Sequence, residues 1–284
     1  MEQNIDIIPF GTTRNGESVS LFRIPNSTND YIELSTYGCA LKSVCIHTSD
    51  GSMQNVLAEP SSLAEDEASP AFRGVVSLED SELSGALSHA VWNVAETGEN
   101  HVFLTCRVRA GTGEIAVGAR VMWVNLNRLV MDLFVTPEHD AALNICSELM
   151  LRAGSAGGYA LRTFCPKYRA GGEWQTVAQS PYRDLQFQSL TGAVCFSAPE
   201  GSGVGPMAEL TEPAVQTAIS IYGNLPLVSV TPRADSVQIL QTLAEPAALQ
   251  GGQTCCGRII FGFDRLFTAE ELTNPAPSPF SAFI

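Results

Sequence analysis

Apolar side chains at every second position are the feature of this sequence that most constrains its fold. The alternation runs without a break through residues 102–108, 117–123 and 129–135. Successive side chains of a β-strand point to opposite faces, so each run predicts a strand with one buried face. The short connections at residues 110–113 and 125–127 are typical of tight turns, and the three strands are therefore predicted to form an antiparallel meander.

Further strand-like runs are spread along the chain, whereas helix signals are few. The other predicted strands are 32–34, 41–47, 91–95, 194–197, 218–222, 227–230, 237–240 and 258–263. A turn or two of helix is predicted at residues 61–67, and residues 268–271 have the pattern of a capped helix start. Many short strands joined by turns indicate an all-β protein, built as a large antiparallel β-sandwich or a closed barrel.

Length and composition favour a single domain that covers residues 1–284. Hydrophobic residues make up 45% of the chain and charged residues 16%, which is enough apolar material for a substantial core. No internal repeat and no linker-like segment divides the sequence. All-β folds of this length are often undivided, so one domain is the simpler prediction.

The charge of the chain argues against nucleic acid or an anionic membrane as a partner. Thirty acidic and 16 basic residues give a formal net charge of −14, and the basic residues are scattered. Binding to either partner depends on clustered lysine and arginine. Residues 1–6 lack the basic patch and apolar stretch of a signal peptide, and no run approaches the roughly 18 apolar residues of a membrane-spanning helix. We therefore expect a cytoplasmic protein.

The cysteines give no sign of a metal site or of a disulfide framework. None of the eight belongs to a Cys-x-x-Cys pair or to a cluster with zinc-ligand spacing. Several alternate with apolar residues, where a free thiol behaves as a small hydrophobe. We expect reduced, structural cysteines and neither metal nor cofactor, with Cys255 and Cys256 as an alternative, reactive pair.

Three groups of segments carry a resemblance to a known family. The first is Tyr-Gly-Cys-Ala-Leu-Lys-Ser-Val at 37–44, followed by Asp-Gly at 50–51 and Asn-Val-Leu at 55–57. The second is Arg-Gly-Val-Val at 73–76, followed by Gly85 and Trp92. The third is Val-Gln-Ile-Leu-Gln-Thr at 237–242, followed by the segments 249–254 and 258–263. In this order they resemble the galactose mutarotase (aldose 1-epimerase) superfamily, whose fold is a large antiparallel β-sandwich of the supersandwich type.

The resemblance implies that the family's usual catalytic groups have been replaced. In the family a glutamate acts as general base and a histidine as general acid during opening of the sugar ring. Here Ser84 stands at a histidine position and Gln241 at the glutamate position. A serine hydroxyl cannot replace an imidazole as a general acid near neutral pH. An amide has no titratable proton, although it still forms hydrogen bonds with sugar hydroxyls.

Two titratable residues remain as candidate catalytic groups. His89 lies five residues after Ser84, and Glu245 matches the family's glutamate if the register slips by four residues. Each has a plainer interpretation, because His89 also fits a loop or rim position and Glu245 precedes a proline in a segment that reads as a solvated loop. The other histidines, at positions 47, 101 and 139, are predicted to lie on the surface.

Four residues are candidates for contact with a sugar. The planar guanidinium of Arg73 can donate paired hydrogen bonds to a sugar hydroxyl or phosphate, although a surface ion pair explains this residue equally well. Ser84 and Gln241 occupy the replaced catalytic positions. Trp174 follows two glycines in a loop and offers a stacking face, whereas Trp123 alternates with core residues and is predicted to be buried.

Three functions follow as hypotheses. The first is binding of a hexose or hexose derivative by a divergent family member whose catalysis is lost or altered. The second is an active aldose 1-epimerase with relocated acid and base, namely His89 and Glu245. The third is a β-rich interaction module without a small ligand. For the first two the partner is a small-molecule sugar, and the protein is expected to be a monomer or homodimer.

Overall fold

The structure is a computed structural model that describes residues 4–48, 51–58, 62–69, 74–110, 113–153, 159–183, 188–198, 203–212 and 217–265. Strands dominate it. The first twelve are β1 (Asp6–Thr12), β2 (Ser18–Pro25), β3 (Tyr31–Ser35), β4 (Ala40–His47), β5 (Met53–Asn55), β6 (Ser77–Leu78), β7 (Asn93–Thr97), β8 (His101–Ala110), β9 (Gly113–Val124), β10 (Arg128–Pro137), β11 (Ala141–Leu143) and β12 (Ile145–Arg152). The others are β13 (Ala160–Thr163), β14 (Lys167–Arg169), β15 (Gln175–Thr176), β16 (Gln188–Ser189), β17 (Val194–Ser197), β18 (Gly205–Glu212), β19 (Thr217–Gly223), β20 (Leu227–Pro232), β21 (Ser236–Thr242), β22 (Ala247–Leu249) and β23 (Cys255–Arg265). The helices are α1 (Leu63–Ala68), α2 (Ser81–Ser88) and a 3₁₀ turn at Val177–Gln179.

The strands form three large sheets and one small one. The first sheet has the order β1-β2-β3-β4-β5, and the second has the order β16-β13-β18-β19-β23-β10-β9-β8-β7. The third has the order β15-β14-β17-β20-β21-β12-β6, and β11 pairs with β22. The pairs between named strands in the described part of the chain are all antiparallel. The all-β sandwich predicted from the sequence is confirmed.

The predicted meander is the strand series β8-β9-β10. Val102 is paired with Val121 and Trp123 with Leu129, so the alternating apolar residues lie on one buried face. Leu126 and Asn127 form the turn between β9 and β10 with φ of 63° and 52°. The eight other predicted strands are also present, with ends that differ by a few residues from those predicted.

One continuous hydrophobic core joins the three large sheets. It includes Ile24 of β2, Leu104 of β8 and Val230 of β20, all with 0% exposure. A much smaller cluster of Val19, Tyr37 and Leu63 lies beneath α1. Burying each large aliphatic side chain contributes about 1.5–3 kcal/mol, so the shared core is the main force that holds the sheets together.

The two α-helices are short and begin at well-formed caps. The predicted helix near residues 61–67 is α1, where Ser62 and Glu65 form a capping box. Helix α2 was not predicted from the sequence, although Asp80 caps it by accepting from the backbone N–H groups of Glu82 and Leu83. The predicted helix start at 268–271 lies outside the described residues.

All eight cysteines lie in the described part of the chain and are free thiols there. Among the described residues, no helix is long and apolar enough to cross a membrane.

Candidate functional site

Gln241 and Ser84, which the sequence resemblance aligns with catalytic positions, lie inside the protein. Gln241 in β21 has 0% exposure, and its amide nitrogen and oxygen find no hydrogen-bond partner in the described structure. Ser84 in α2 is 3% exposed, and its hydroxyl has no partner there either. Unpaired polar groups are rare in protein interiors because each costs about 1–3 kcal/mol when it loses water. These positions are therefore unusual for the core.

The orientation of β21 explains why Gln241 points inward. Val237, Ile239 and Gln241 alternate onto the face that packs against the core. The paired residue on β12, Ser147, is also buried and donates its hydroxyl to the Val75 carbonyl at 2.6 Å. Opposite Gln241 lies Gly223, where a Cβ atom would collide with the amide oxygen of Gln241. A sugar reaches Gln241 only if this packing opens, and its role as a sugar contact stays a prediction.

The other predicted site residues are dispersed. Glu245 is exposed in the loop between β21 and β22, and His89 is exposed at the C-terminal cap of α2. Trp174 is 39% exposed, with the Arg169 guanidinium 4.9 Å from its ring centroid. Arg73 lies outside the described residues. The roles predicted for these residues remain predictions.

His89 lines a small pocket, which we call the His89 pocket. Its volume is about 230 Å³, and it is lined by Thr13, Arg14, Asn15, Glu17, Tyr37, Glu67 and His89. The β1–β2 turn, the β3–β4 connection, α1 and the C-terminal cap of α2 supply these residues. Glu245 is not among them, so the pocket does not join the two predicted catalytic residues. Instead, Glu17 and Glu67 are the carboxylates that share the pocket with His89.

Tyr37 is the group in direct contact with His89. Its hydroxyl lies 3.0 Å from Nδ1 of His89, and the two rings meet edge to face with centroids 6.1 Å apart. Burial raises the pKa of Tyr37, and the nearby Glu67 and Asp66 carboxylates raise it further. Tyr37 therefore keeps its proton at neutral pH and can donate it in a hydrogen bond to the histidine ring.

A buried ion pair fixes α1 as a wall of the His89 pocket. Lys42 of β4 contacts Asp66 of α1, with side-chain exposures of 6% and 0%. Burial lowers the pKa of Lys42 and raises the pKa of Asp66, and each partner opposes the shift of the other. The next residue, Glu67, accepts from the backbone N–H of Arg14 at 2.8 Å, which ties α1 to the β1–β2 turn.

A larger groove adjoins the His89 pocket and runs over the outer face of strands β8–β10. We call it the Phe103 groove. Its volume is about 540 Å³, and its lining includes Glu17, Val91, Asn93, Phe103, Thr105, Arg107, Phe134 and Thr136. Phe103 and Phe134 meet edge to face, with ring centroids 5.8 Å apart. At Gly118 a Cβ atom would lie 2.9 Å from the Phe103 ring, so a glycine is needed for the ring to lie against the sheet.

The groove and the pocket share a border. Glu17 lines both, and Ala90 and Val91 of the groove follow directly after His89 of the pocket. Four residues of these cavities were not among the predicted site residues, namely Glu17, Glu67, Phe103 and Phe134. Phe103 and Phe134 lie at the outward-facing alternate positions of predicted strands. The sequence does not show that they are neighbours, because only the register of β8, β9 and β10 brings them together. Together the two cavities offer apolar ring faces, hydroxyl groups and carboxylates, which suit a polar ligand with an apolar face.

No metal centre is evident in this region. Across the described residues, no group of three or more histidine, cysteine, aspartate or glutamate side chains is arranged to hold a metal ion.

Comparison with known proteins establishes the fold. No protein-family model matches the sequence, and a search of curated proteins finds no match either. Among solved structures, the GalM/aldose epimerase homologue from C. elegans has a TM-score of 0.72 at 11% identity, covering 93% of this chain and 100% of that one. Galactose 1-epimerase from Lactobacillus acidophilus has a TM-score of 0.73 at 13% identity, with coverage of 93% and 100%. A putative aldose 1-epimerase from Escherichia coli K12 has a TM-score of 0.64 at 11% identity, with coverage of 87% and 100%. The chain therefore has the fold of the galactose mutarotases and aldose 1-epimerases, as its sequence resemblance predicts.

Proposed function

We propose that the protein binds a hexose or hexose derivative in the Phe103 groove. The observation that carries the proposal is the aromatic pair Phe103–Phe134, flanked in one groove by Thr105, Thr136 and Asn93. One face of a hexose ring is largely C–H and packs on an aromatic ring, while its hydroxyls need both donors and acceptors. The solved relatives named as aldose or galactose epimerases make a sugar the natural ligand class for this fold.

Binding without the family's usual acid and base is the form of the function that we favour. Gln241 and Ser84 stand at replaced catalytic positions, and both are enclosed in the core. The Phe103 groove, by contrast, is open to solvent. Sugar binding there does not depend on a glutamate at position 241.

Calorimetric titration with a panel of hexoses and hexose phosphates tests the proposal. We expect binding in the millimolar range or tighter. Phe134→Ala removes half of the aromatic pair and should weaken binding about tenfold, since such a contact contributes roughly 0.5–1.5 kcal/mol beyond its buried area. The control is Phe164→Ala, because Phe164 is a phenylalanine with 37% exposure that lies outside the groove. Absence of binding at millimolar sugar would favour the interaction-module hypothesis instead.

A second candidate function is anomer interconversion with relocated acid and base. The observation that favours it is the contact of His89 with Tyr37 in a pocket that also contains Glu17 and Glu67. Saturation-transfer NMR on α-glucose or α-galactose measures the exchange rate directly. Loss of acceleration in Glu245→Gln supports the predicted base, whereas loss in Glu67→Gln with Glu245→Gln still active assigns that role to the pocket carboxylate.

A further inference from the structure

We infer that the ligand spans two subsites and is a disaccharide or longer oligosaccharide, with one ring in the Phe103 groove and the next unit in the His89 pocket. The inference rests on the proposed sugar-binding function and names the class of sugar.

The first step is that the two cavities are neighbours that share part of their lining. Glu17 belongs to the lining of both, and Ala90 and Val91 on the groove side follow His89 on the pocket side. A carboxylate at such a border is placed to accept hydrogen bonds from hydroxyls of two neighbouring rings.

The second step is size. Pockets that enclose drug-sized ligands measure about 300–1,000 Å³. The Phe103 groove, at about 540 Å³, falls within this range on its own. The His89 pocket, at about 230 Å³, falls below it and holds only a small unit. A ligand that filled the groove alone would leave the pocket to water, whereas one linked to a second unit uses both.

The third step is the different chemistry of the two cavities. The groove presents two phenylalanine rings and threonine hydroxyls, which suit the face of a sugar ring. The pocket presents the Tyr37–His89 pair, Asn15 and two carboxylates. These groups suit the hydroxyl-bearing edge of a sugar unit, with which they can form hydrogen bonds. The two environments match successive parts of one chain of sugars.

The fourth step is rigidity. Tyr37 is 3% exposed and holds the His89 ring, while the Lys42–Asp66 pair and the bond from Arg14 N–H to Glu67 anchor α1. A wall fixed in this way is formed before the ligand arrives, and preorganised contacts lose less entropy on binding.

The experiment compares monosaccharides with their β- and α-linked disaccharides by titration calorimetry. Wild-type protein should bind the best disaccharide about tenfold more tightly than either component hexose, which corresponds to roughly 1.4 kcal/mol from the second subsite. In His89→Ala this ratio should fall towards one. In the control His139→Ala, a change of an exposed histidine outside both cavities, the ratio should stay as in the wild type.

The outcomes separate the inference from the proposed function. Equal affinity for mono- and disaccharides overturns the two-subsite inference and leaves hexose binding intact. A tenfold ratio that survives in His89→Ala overturns the assignment of the second unit to the His89 pocket. Failure of every mono-, di- and trisaccharide to bind overturns the sugar-binding function and the inference together.

Discussion

The alternation of side chains along β21 decides whether Gln241 faces the core or the solvent. The same two-residue alternation that reveals β21 places position 241 on the face of Val237 and Ile239, and both are fully buried. A glutamine at such a position gives up hydrogen bonds to water without replacing them in the described structure. The amide is therefore a cost to folding that an apolar side chain of similar size avoids.

Gln241→Leu should consequently stabilise the protein. We expect the free energy of unfolding to rise by about 1–2 kcal/mol, since an unsatisfied buried polar group costs about 1–3 kcal/mol. Urea titration followed by circular dichroism measures the change. Gln238→Leu is the matched control, because Gln238 lies on the outward face of the same strand and should change stability by less than about 0.5 kcal/mol. A loss of stability in Gln241→Leu would show that the amide has a hydrogen-bond partner after all, such as an enclosed water molecule.

The Lys42–Asp66 pair gives the opposite expectation. Because both side chains are almost fully enclosed, Lys42→Met removes the ammonium group from beside the buried Asp66 carboxylate. Such a loss costs about 3–5 kcal/mol, whereas replacing both charges by apolar groups is often neutral. We therefore expect severe destabilisation in Lys42→Met and recovery of most of it in Lys42→Met/Asp66→Leu. Thermal unfolding of the wild type and the two variants measures these differences. Equal stability of the single and double variants would contradict the expected recovery.

At the level of elements, the β2–β3 turn is anchored by several hydrogen bonds of Asp30. The Asp30 carboxylate accepts from the backbone N–H and the ring Nδ1 of His47 and from the Thr28 hydroxyl, each at 2.7 Å. The Asp30 carbonyl accepts from Nε1 of Trp123 at 3.0 Å, which joins the first sheet to the second. Burial alone would raise the pKa of Asp30, but these hydrogen bonds outweigh it and lower the pKa below its usual value.

The depressed pKa of Asp30 predicts a specific loss of stability in acid. Its stabilising contribution is fully present above the unfolded-state pKa of about 3.9 and is lost as the pH falls through the lower folded-state pKa. Asp30→Asn should therefore cost about 1–3 kcal/mol at pH 6, and the difference from wild type should shrink below about pH 4. Urea titrations at pH 6, 4 and 3 measure the two curves. A difference that stays constant over this range would mean that the charge of Asp30 contributes nothing.

A strand or helix could be predicted from the sequence where its pattern is contained in a few consecutive residues. The strands of the meander follow from alternation, whereas α1 was predicted only as a turn or two of helix at residues 61–67. Asp80 offered a cap for α2, but the helix has only eight residues and its apolar pattern is weak. The His89 pocket could not be predicted, because Glu17, Tyr37, Glu67 and His89 come from four separate segments with no shared pattern. Phe103 and Phe134 needed the strand register as well as the strands.

On the scale of the whole molecule, the fold tolerates almost complete change of sequence. The structural neighbours share only 11–13% identity with this chain and yet cover 87–93% of it. A sandwich needs apolar side chains at alternate positions and suitable turns, and many residue types meet that need. Catalytic residues have no such redundancy, so the shared architecture does not by itself carry the chemistry of the neighbours over to this chain.

The continuous core predicts that the whole chain unfolds as one unit. Ile24, Leu104 and Val230 belong to three different sheets but to one buried cluster, so no sheet can detach without exposing the others. We expect a single calorimetric transition, with the van't Hoff and calorimetric enthalpies equal within error.

The tryptophans supply an independent probe, because Trp92 and Trp123 are 2% and 0% exposed and Trp174 is 39% exposed. In Trp174→Phe the remaining fluorescence reports only the core, and its unfolding curve should coincide with that of the far-ultraviolet circular dichroism. Two separate transitions would divide residues 1–284 into more than one domain, because a core shared by three sheets cannot melt in parts.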